Sequence, residues 1–136
     1  MAENQKDLAD WALEKSEQYL ESAKANLSEG RLYVAAEEAF RAIENCLEAM
    51  LYQQGITKIS YPGGQKEFVG RLALQFLVRD NLVNKGVISH KDYDAYLAYA
   101  SRLHKAGYTY GRFEKNELAA AMEFAESLYY RARKGA

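Results

Sequence analysis

The sequence predicts an all-α fold, a five-helix up-and-down bundle forming a single domain over residues 1–136. Three observations lead there. Apolar residues recur at three- and four-residue steps in successive segments of the chain. The stretch from Gly30 to Gly55 holds a long run of helix formers with no proline and no internal glycine. The only proline, Pro62, stands with Gly63 and Gly64 in the longest stretch that lacks helical periodicity.

The first helix is expected from about Asn4 to Leu27, with Leu8, Trp11, Ala12, Tyr19, Ala23 and Leu27 on its apolar face. Ser28-Glu29-Gly30 is a short connection, so helices one and two are antiparallel neighbours. In the second helix Leu32, Ala36, Ala39, Ile43, Leu47 and Met50 fall on one stripe. Ala35, Phe40, Cys46 and Leu51 widen that stripe to more than one side, which makes this the central helix of the bundle. Glu37, Glu38, Arg41, Glu44, Asn45 and Glu48 take the remaining face, where Glu37, Arg41 and Glu44 have the spacing of a charge ladder. Gly55 supplies the C-terminal cap.

Ile56–Gln65 reads as a loop with a turn at Pro62-Gly63-Gly64, and a brief extended segment over Ile56–Tyr61 would not change the class. The third helix is expected from Lys66 to Asp80, with Val69, Leu72, Ala73, Phe76 and Leu77 facing inward. Asn81–Gly86 loosens it. Ser89 followed by Asp92 is a weakened capping box that starts helix four, His90–Lys105, with Tyr93, Tyr96, Leu97, Ala100 and Leu103 along one side. Gly107–Phe113 interrupts the run. The fifth helix covers Glu117–Arg133 and turns Leu118, Met122, Ala125, Leu128, Tyr129 and Ala132 inward. Arg131, Arg133 and Lys134 suit the negative pole at its end.

A net charge of −1 gives no general bias towards nucleic acid or membrane. The single Cys46 cannot form an internal disulfide, and its place on the apolar stripe makes it a buried hydrophobe. The N-terminus lacks the basic start and apolar run of a secretory signal, and no apolar stretch approaches the roughly 20 residues of a membrane helix. A cytoplasmic protein with no membrane partner is expected. Neither His90 nor His104 follows a Glu by three residues, so a di-metal bundle is excluded. Pro62-Gly63-Gly64 is not followed by the Lys-Ser/Thr of a phosphate loop, and no Ser-His-Asp set is legible. No cofactor and no metal are expected.

Gly30 leads into Tyr33-x-x-Ala36 and Ala39-x-x-Ala42-Ile43-Glu44, followed by Leu47-x-Ala49-Met50-Leu51 and Gly55. Phe68–Leu77, Lys85-Gly86-Val87-Ile88-Ser89 and a closing helix from Glu117-Leu118 through Ala125-Glu126 complete the order. Over nearly the whole chain this pattern resembles the small stand-alone HEPN proteins of bacteria and archaea. The resemblance implies a helical bundle that forms a two-fold homodimer, often beside a nucleotidyltransferase-like partner in a toxin–antitoxin pair. It also implies, for many members, a metal-independent endoribonuclease whose Arg precedes a His by about five to seven positions. In such a site His moves protons and Arg stabilises the charged phosphate.

This chain departs from that motif. Downstream of Arg102 the expected His positions hold Gly107, Tyr108 and Thr109, and neither His90 nor His104 has an Arg at the matching upstream distance. The candidate catalytic set is therefore a rearranged one, Arg102, His104 and Tyr108. The candidate ligand-binding set is Arg102, Lys105, Tyr108, Tyr110 and Arg112, with Glu44 or Asn45 reaching it from helix two. The plainer expectation is that Arg102 pairs with Asp94 or a carboxylate of helix two and His104 is solvated. Tyr129 and Tyr130 are adjacent and cannot both face the core, so one of them is exposed, and tyrosine-bearing faces suit a dimer. The sequence favours a homodimeric binding module for RNA or nucleotide over an enzyme, with a purely structural interaction protein as the third reading.

Overall fold

A computed structural model describes residues 2–56, 71–104 and 114–135. Among the described residues the chain is helical and contains no strand. The helices are α1 (Ala2–Ser28), α2 (Leu32–Gln53), α3 (Arg71–Val78), α4 (His90–His104) and α5 (Lys115–Lys134), and α3 runs on into a π-helical turn, Arg79–Val83. The turn at Pro62, the segment through Tyr61, the start of helix three at Lys66 and the Gly107–Phe113 break lie outside the described residues.

Glycines set the lengths of α1 and α2. Gly30 has φ +81° and Gly55 has φ +86°, a region that a side chain makes costly. The chain reverses there by satisfying carbonyls that the helix leaves open. Gly30 N–H donates to Leu27 O at 3.1 Å and Arg31 N–H to Asn26 O at 2.8 Å. After α2, Gly55 N–H donates to Tyr52 O and Ile56 N–H to Leu51 O, both at 3.0 Å. The π-helical turn ends in the same way at Gly86, where Val87 N–H reaches Leu82 O at 2.8 Å.

Helix α2 is the centre, as expected: it packs against α1, α3, the π-helical turn, α4 and α5. Its Phe40, Ile43, Leu47 and Leu51 are fully buried, as are Leu74, Leu82, Tyr96, Leu103, Leu118 and Leu128 around it. Phe40 stacks on Tyr96 with ring centroids 6.4 Å apart. Ser16 lies against Ala42, and Ser22 and Asn26 against Glu38, so α1 runs antiparallel to α2. Cys46 faces Ala125 and Gln53 faces Ala132, so α5 runs parallel to α2. The pairs Asp92–Arg131 and Arg102–Glu117 make α4 antiparallel to α5.

Two inward faces differ from expectation. On α1 the buried stripe is Ala9, Ala12, Leu13, Ser16, Leu20 and Ala23, while Trp11 is 49% exposed with Lys15 Nζ 3.6 Å above its ring. Small residues on α1 and Ala35, Ala36, Ala39 and Ala42 on α2 let the two backbones approach, and a tryptophan at the seam would hold them apart. On α3 the buried residues are Ala73, Leu74 and Val78, and Phe76 is 44% exposed beneath the Arg79 guanidinium. Ala73 belongs to both the expected and the observed face, so the helix is rotated from the expected one, which spacing within one helix does not fix.

Candidate functional site

The region singled out by the sequence begins where α4 ends and α5 starts. Arg102 lies on the side of α4 that also carries Asp92 and Tyr99, and that side is turned towards α5. Its guanidinium forks onto Glu117, Nε to Oε2 at 2.9 Å and Nη2 to Oε1 at 3.2 Å. Glu117 Oε1 also accepts from Glu114 N–H at 3.3 Å, so one carboxylate both caps α5 and holds Arg102. The hydrogen bond from Arg102 keeps the Glu117 carboxyl below its usual range, against a smaller opposing effect of burial. The partner of Arg102 is thus on α5, where the sequence had suggested Asp94 or helix two. Pairing across helices depends on how they are rotated against each other, which spacing within one helix does not encode.

One heptad along α5 from Glu117, Phe124 meets the Tyr99 ring at 5.4 Å, and one heptad further Arg131 meets Asp92 at 2.7 Å. These three contacts form the α4–α5 seam. Burial opposes the charge on Asp92, but the hydrogen bond and charge of Arg131, with help from Ser89, hold its carboxyl below the ordinary range. Ser89 Oγ also accepts the Asp92 N–H at 3.1 Å, which is the helix start expected from the sequence.

His104 closes α4, but its side chain and the whole of Lys105, Tyr108, Tyr110 and Arg112 lie outside the described residues. Of the expected cluster, Arg102 is the member whose contacts are described. Glu44 and Asn45 do not occupy an exposed polar face: they are 8% and 5% exposed on α2. A helix with neighbours on most sides buries part of its polar face too. Glu48, one turn on, has its carboxyl pushed up by burial, against the smaller pull of Lys15. The Glu37–Arg41 step of the expected ladder is present at 3.3 Å, and Arg41 also donates to Tyr19 Oη at 3.4 Å.

A second polar surface lies between α1 and α5. Tyr129 is half-buried and donates its hydroxyl to Glu17 at 2.9 Å, while Lys24 pairs with Glu126 at 2.9 Å. Between these contacts runs a groove of about 210 Å³ whose walls include Glu21, Tyr130 and Arg133. Tyr130 is 57% exposed and meets the Tyr129 ring edge-on at 5.8 Å, so the adjacent tyrosines divide as expected.

Sequence reasoning missed the polar contacts that join α1 to α2. Ser22 Oγ and Asn26 Nδ2 both donate to the Glu38 carboxylate at 2.5 Å. Ser16, fully buried, donates to Ala42 O at 3.0 Å. The available signal was a polar residue recurring among the small ones of α1. Among the described residues no group of three or more His, Cys, Asp or Glu is placed to hold a metal ion, and no helix is long and apolar enough to cross a membrane.

A search of curated proteins finds no match to the chain. A profile of the archaeal PaREP1/PaREP8 family matches residues 12–129, from the buried stripe of α1 to the Tyr129 hydroxyl contact on α5. The chain belongs to that family.

Proposed function

We propose that this chain is a HEPN-like bundle acting as a homodimeric, non-catalytic binding module for RNA or a nucleotide, in a toxin–antitoxin-type pair with a nucleotidyltransferase-like protein. The HEPN likeness, the homodimer and the partner protein rest on the order of sequence features from Gly30 to Glu126. The single observation that favours binding over catalysis is the missing Arg–His spacing. A ribonuclease of the HEPN kind needs a guanidinium facing the scissile phosphate and a histidine to move protons. Here no histidine stands at the required distance from an arginine, and Arg102 rests on Glu117.

The fork also ties the end of α4 to the start of α5. The chain between those anchored ends carries Lys105, Tyr108, Tyr110 and Arg112, which combine cations for phosphate with rings for base stacking. An exposed ion pair gives way readily to a competing phosphate, so Arg102 joins that set when ligand arrives.

The test uses end-labelled single-stranded RNA in EDTA. Wild-type protein retains the RNA uncut, and its affinity falls as salt rises. Lys105→Ala with Arg112→Ala weakens binding at least ten-fold. Cleavage by wild type that disappears in Arg102→Ala would replace this reading with the metal-independent endoribonuclease.

A further inference from the structure

We infer that the outer face of α5, with the groove between α1 and α5, is the contact between two copies of this chain, related by a two-fold axis that runs between the two α5 helices at the level of Leu128. The inference rests on the homodimer in the proposed function and names the face that makes it.

Tyr130 is the first observation. At 57% it is the most exposed of the large apolar side chains among the described residues, and it stands on a scaffold that is already fixed. The neighbouring Tyr129 is bonded to Glu17 and set edge-on to it. A rigid aromatic projecting from a settled surface is what interface centres are built from.

Charge is the second. Along the outer side of α5 the order is Glu123, Glu126, Tyr130, Arg133 and Lys134, acidic before the tyrosine and basic after it. Glu126 is neutralised by Lys24. Among the described residues Glu123, Arg133 and Lys134 have no ion-pair partner. Glu123 and Arg133 are ten residues apart, about 15 Å along a helix. They are too far apart to pair within one chain.

An antiparallel copy resolves both. If the two-fold axis passes at the level of Leu128, midway between them, each Glu123 meets the partner's Arg133. Tyr130 is only two residues from that level, about 3 Å along the helix, so the two Tyr130 rings meet beside the axis. The pattern is self-complementary, as an isologous interface demands. RNA fits this face poorly, because Glu17 and Glu21 line the groove and Lys24 there is already paired with Glu126.

Sedimentation of the intact chain at micromolar concentration tests it. Wild type is expected at twice the 15.4 kDa chain mass. Tyr130→Glu and Arg133→Glu are each expected to give monomers with an unchanged helical circular dichroism spectrum. Arg133→Glu combined with Glu123→Arg is expected to restore the dimer, because both pairs are then reversed. A monomeric wild type overturns the homodimer itself. A wild-type dimer that survives Tyr130→Glu and Arg133→Glu overturns this face and leaves the homodimer standing. Failure of the double variant to recover overturns the pairing and the position of the axis.

Discussion

Ser16 Oγ and Cys46 Sγ lie 2.9 Å apart at the place where α1, α2 and α5 meet. Ser16 has one proton and donates it to Ala42 O at 3.0 Å. The thiol proton is therefore the one that bridges the pair, with Ala125 O on α5 a longer alternative at 3.8 Å. Both side chains are fully buried, so the contact is a small polar joint inside an alanine-rich seam.

Removing that joint has two distinguishable outcomes. Ser16→Ala loses a buried hydrogen bond but keeps the seam narrow, and is expected to lower stability by about 1 kcal/mol in urea unfolding. Ser16→Leu forces α1 away from α2 and is expected to cost about 1–3 kcal/mol. Burial pushes the Cys46 thiol up to about 12, despite the hydrogen bond it shares with Ser16. A disulfide reagent at pH 8 should thus label the thiol only after unfolding. Rapid labelling of native protein would mean that the seam opens, and Ser16→Leu should show it first.

Asp92 and Arg131 give a pH dependence with a definite sign. The carboxyl of Asp92 is held below its unfolded value of about 3.9, so the pair stabilises fully above that value. The contribution fades as pH falls through the lower, folded value. Asp92→Asn is expected to cost at most about 1 kcal/mol at pH 7, because the pair is partly exposed. Well below pH 4 the variant and wild type should unfold at converging urea concentrations. An equal gap at acid and neutral pH would show that the cost does not come from the charge of Asp92.

The bundle and its central helix were legible because glycine boundaries and a wide apolar stripe are local signals. What spacing could not supply was rotation. Spacing puts Trp11 on the apolar face of α1 with Leu8 and Ala12, although Ala9, Ala12 and Ser16 define a buried stripe on which it does not lie. Phe76 shares the expected stripe with Ala73, but the helix turns Leu74 and Val78 inward, a rotation that spacing alone does not encode. Glu44 and Asn45 fall by spacing on the polar face of α2, but the neighbours around this helix bury part of that face too. The same limit hid Glu117. Arg102 stood out in the sequence as part of a polar cluster, but its partner is set by the rotation of α5.

The α2 terminus and the α1 terminus make a matched pair for substitution. Gly30 and Gly55 both sit at positive φ, so alanine at either is expected to cost about 1 kcal/mol in backbone strain. A Cβ at Gly30 meets nothing, whereas at Gly55 it would approach Gln5 Nε2 to 3.1 Å. Gly55→Ala should therefore be the more damaging in thermal unfolding unless Gln5 swings aside. Gly55→Ala combined with Gln5→Ala separates the two effects. It should fall back to the level of Gly30→Ala, and a double variant no better than Gly55→Ala would leave backbone strain as the whole cost.

Glu117 offers the most direct reading of what Arg102 is for. If phosphate and Glu117 compete for the same guanidinium, Glu117→Gln keeps the shape of the α5 start while removing the competing charge. RNA binding should then strengthen several-fold, and the slope of affinity against salt should steepen by about one released counterion. Arg102→Ala in the same background should abolish that gain. If instead Arg102 serves only to tie α4 to α5, Glu117→Gln loosens the junction and binding weakens or stays level. Fluorescence anisotropy at two salt concentrations separates these outcomes, because a structural loss lowers affinity without steepening the slope. A steeper slope in Glu117→Gln alone would identify Arg102 as a cation held in reserve for phosphate.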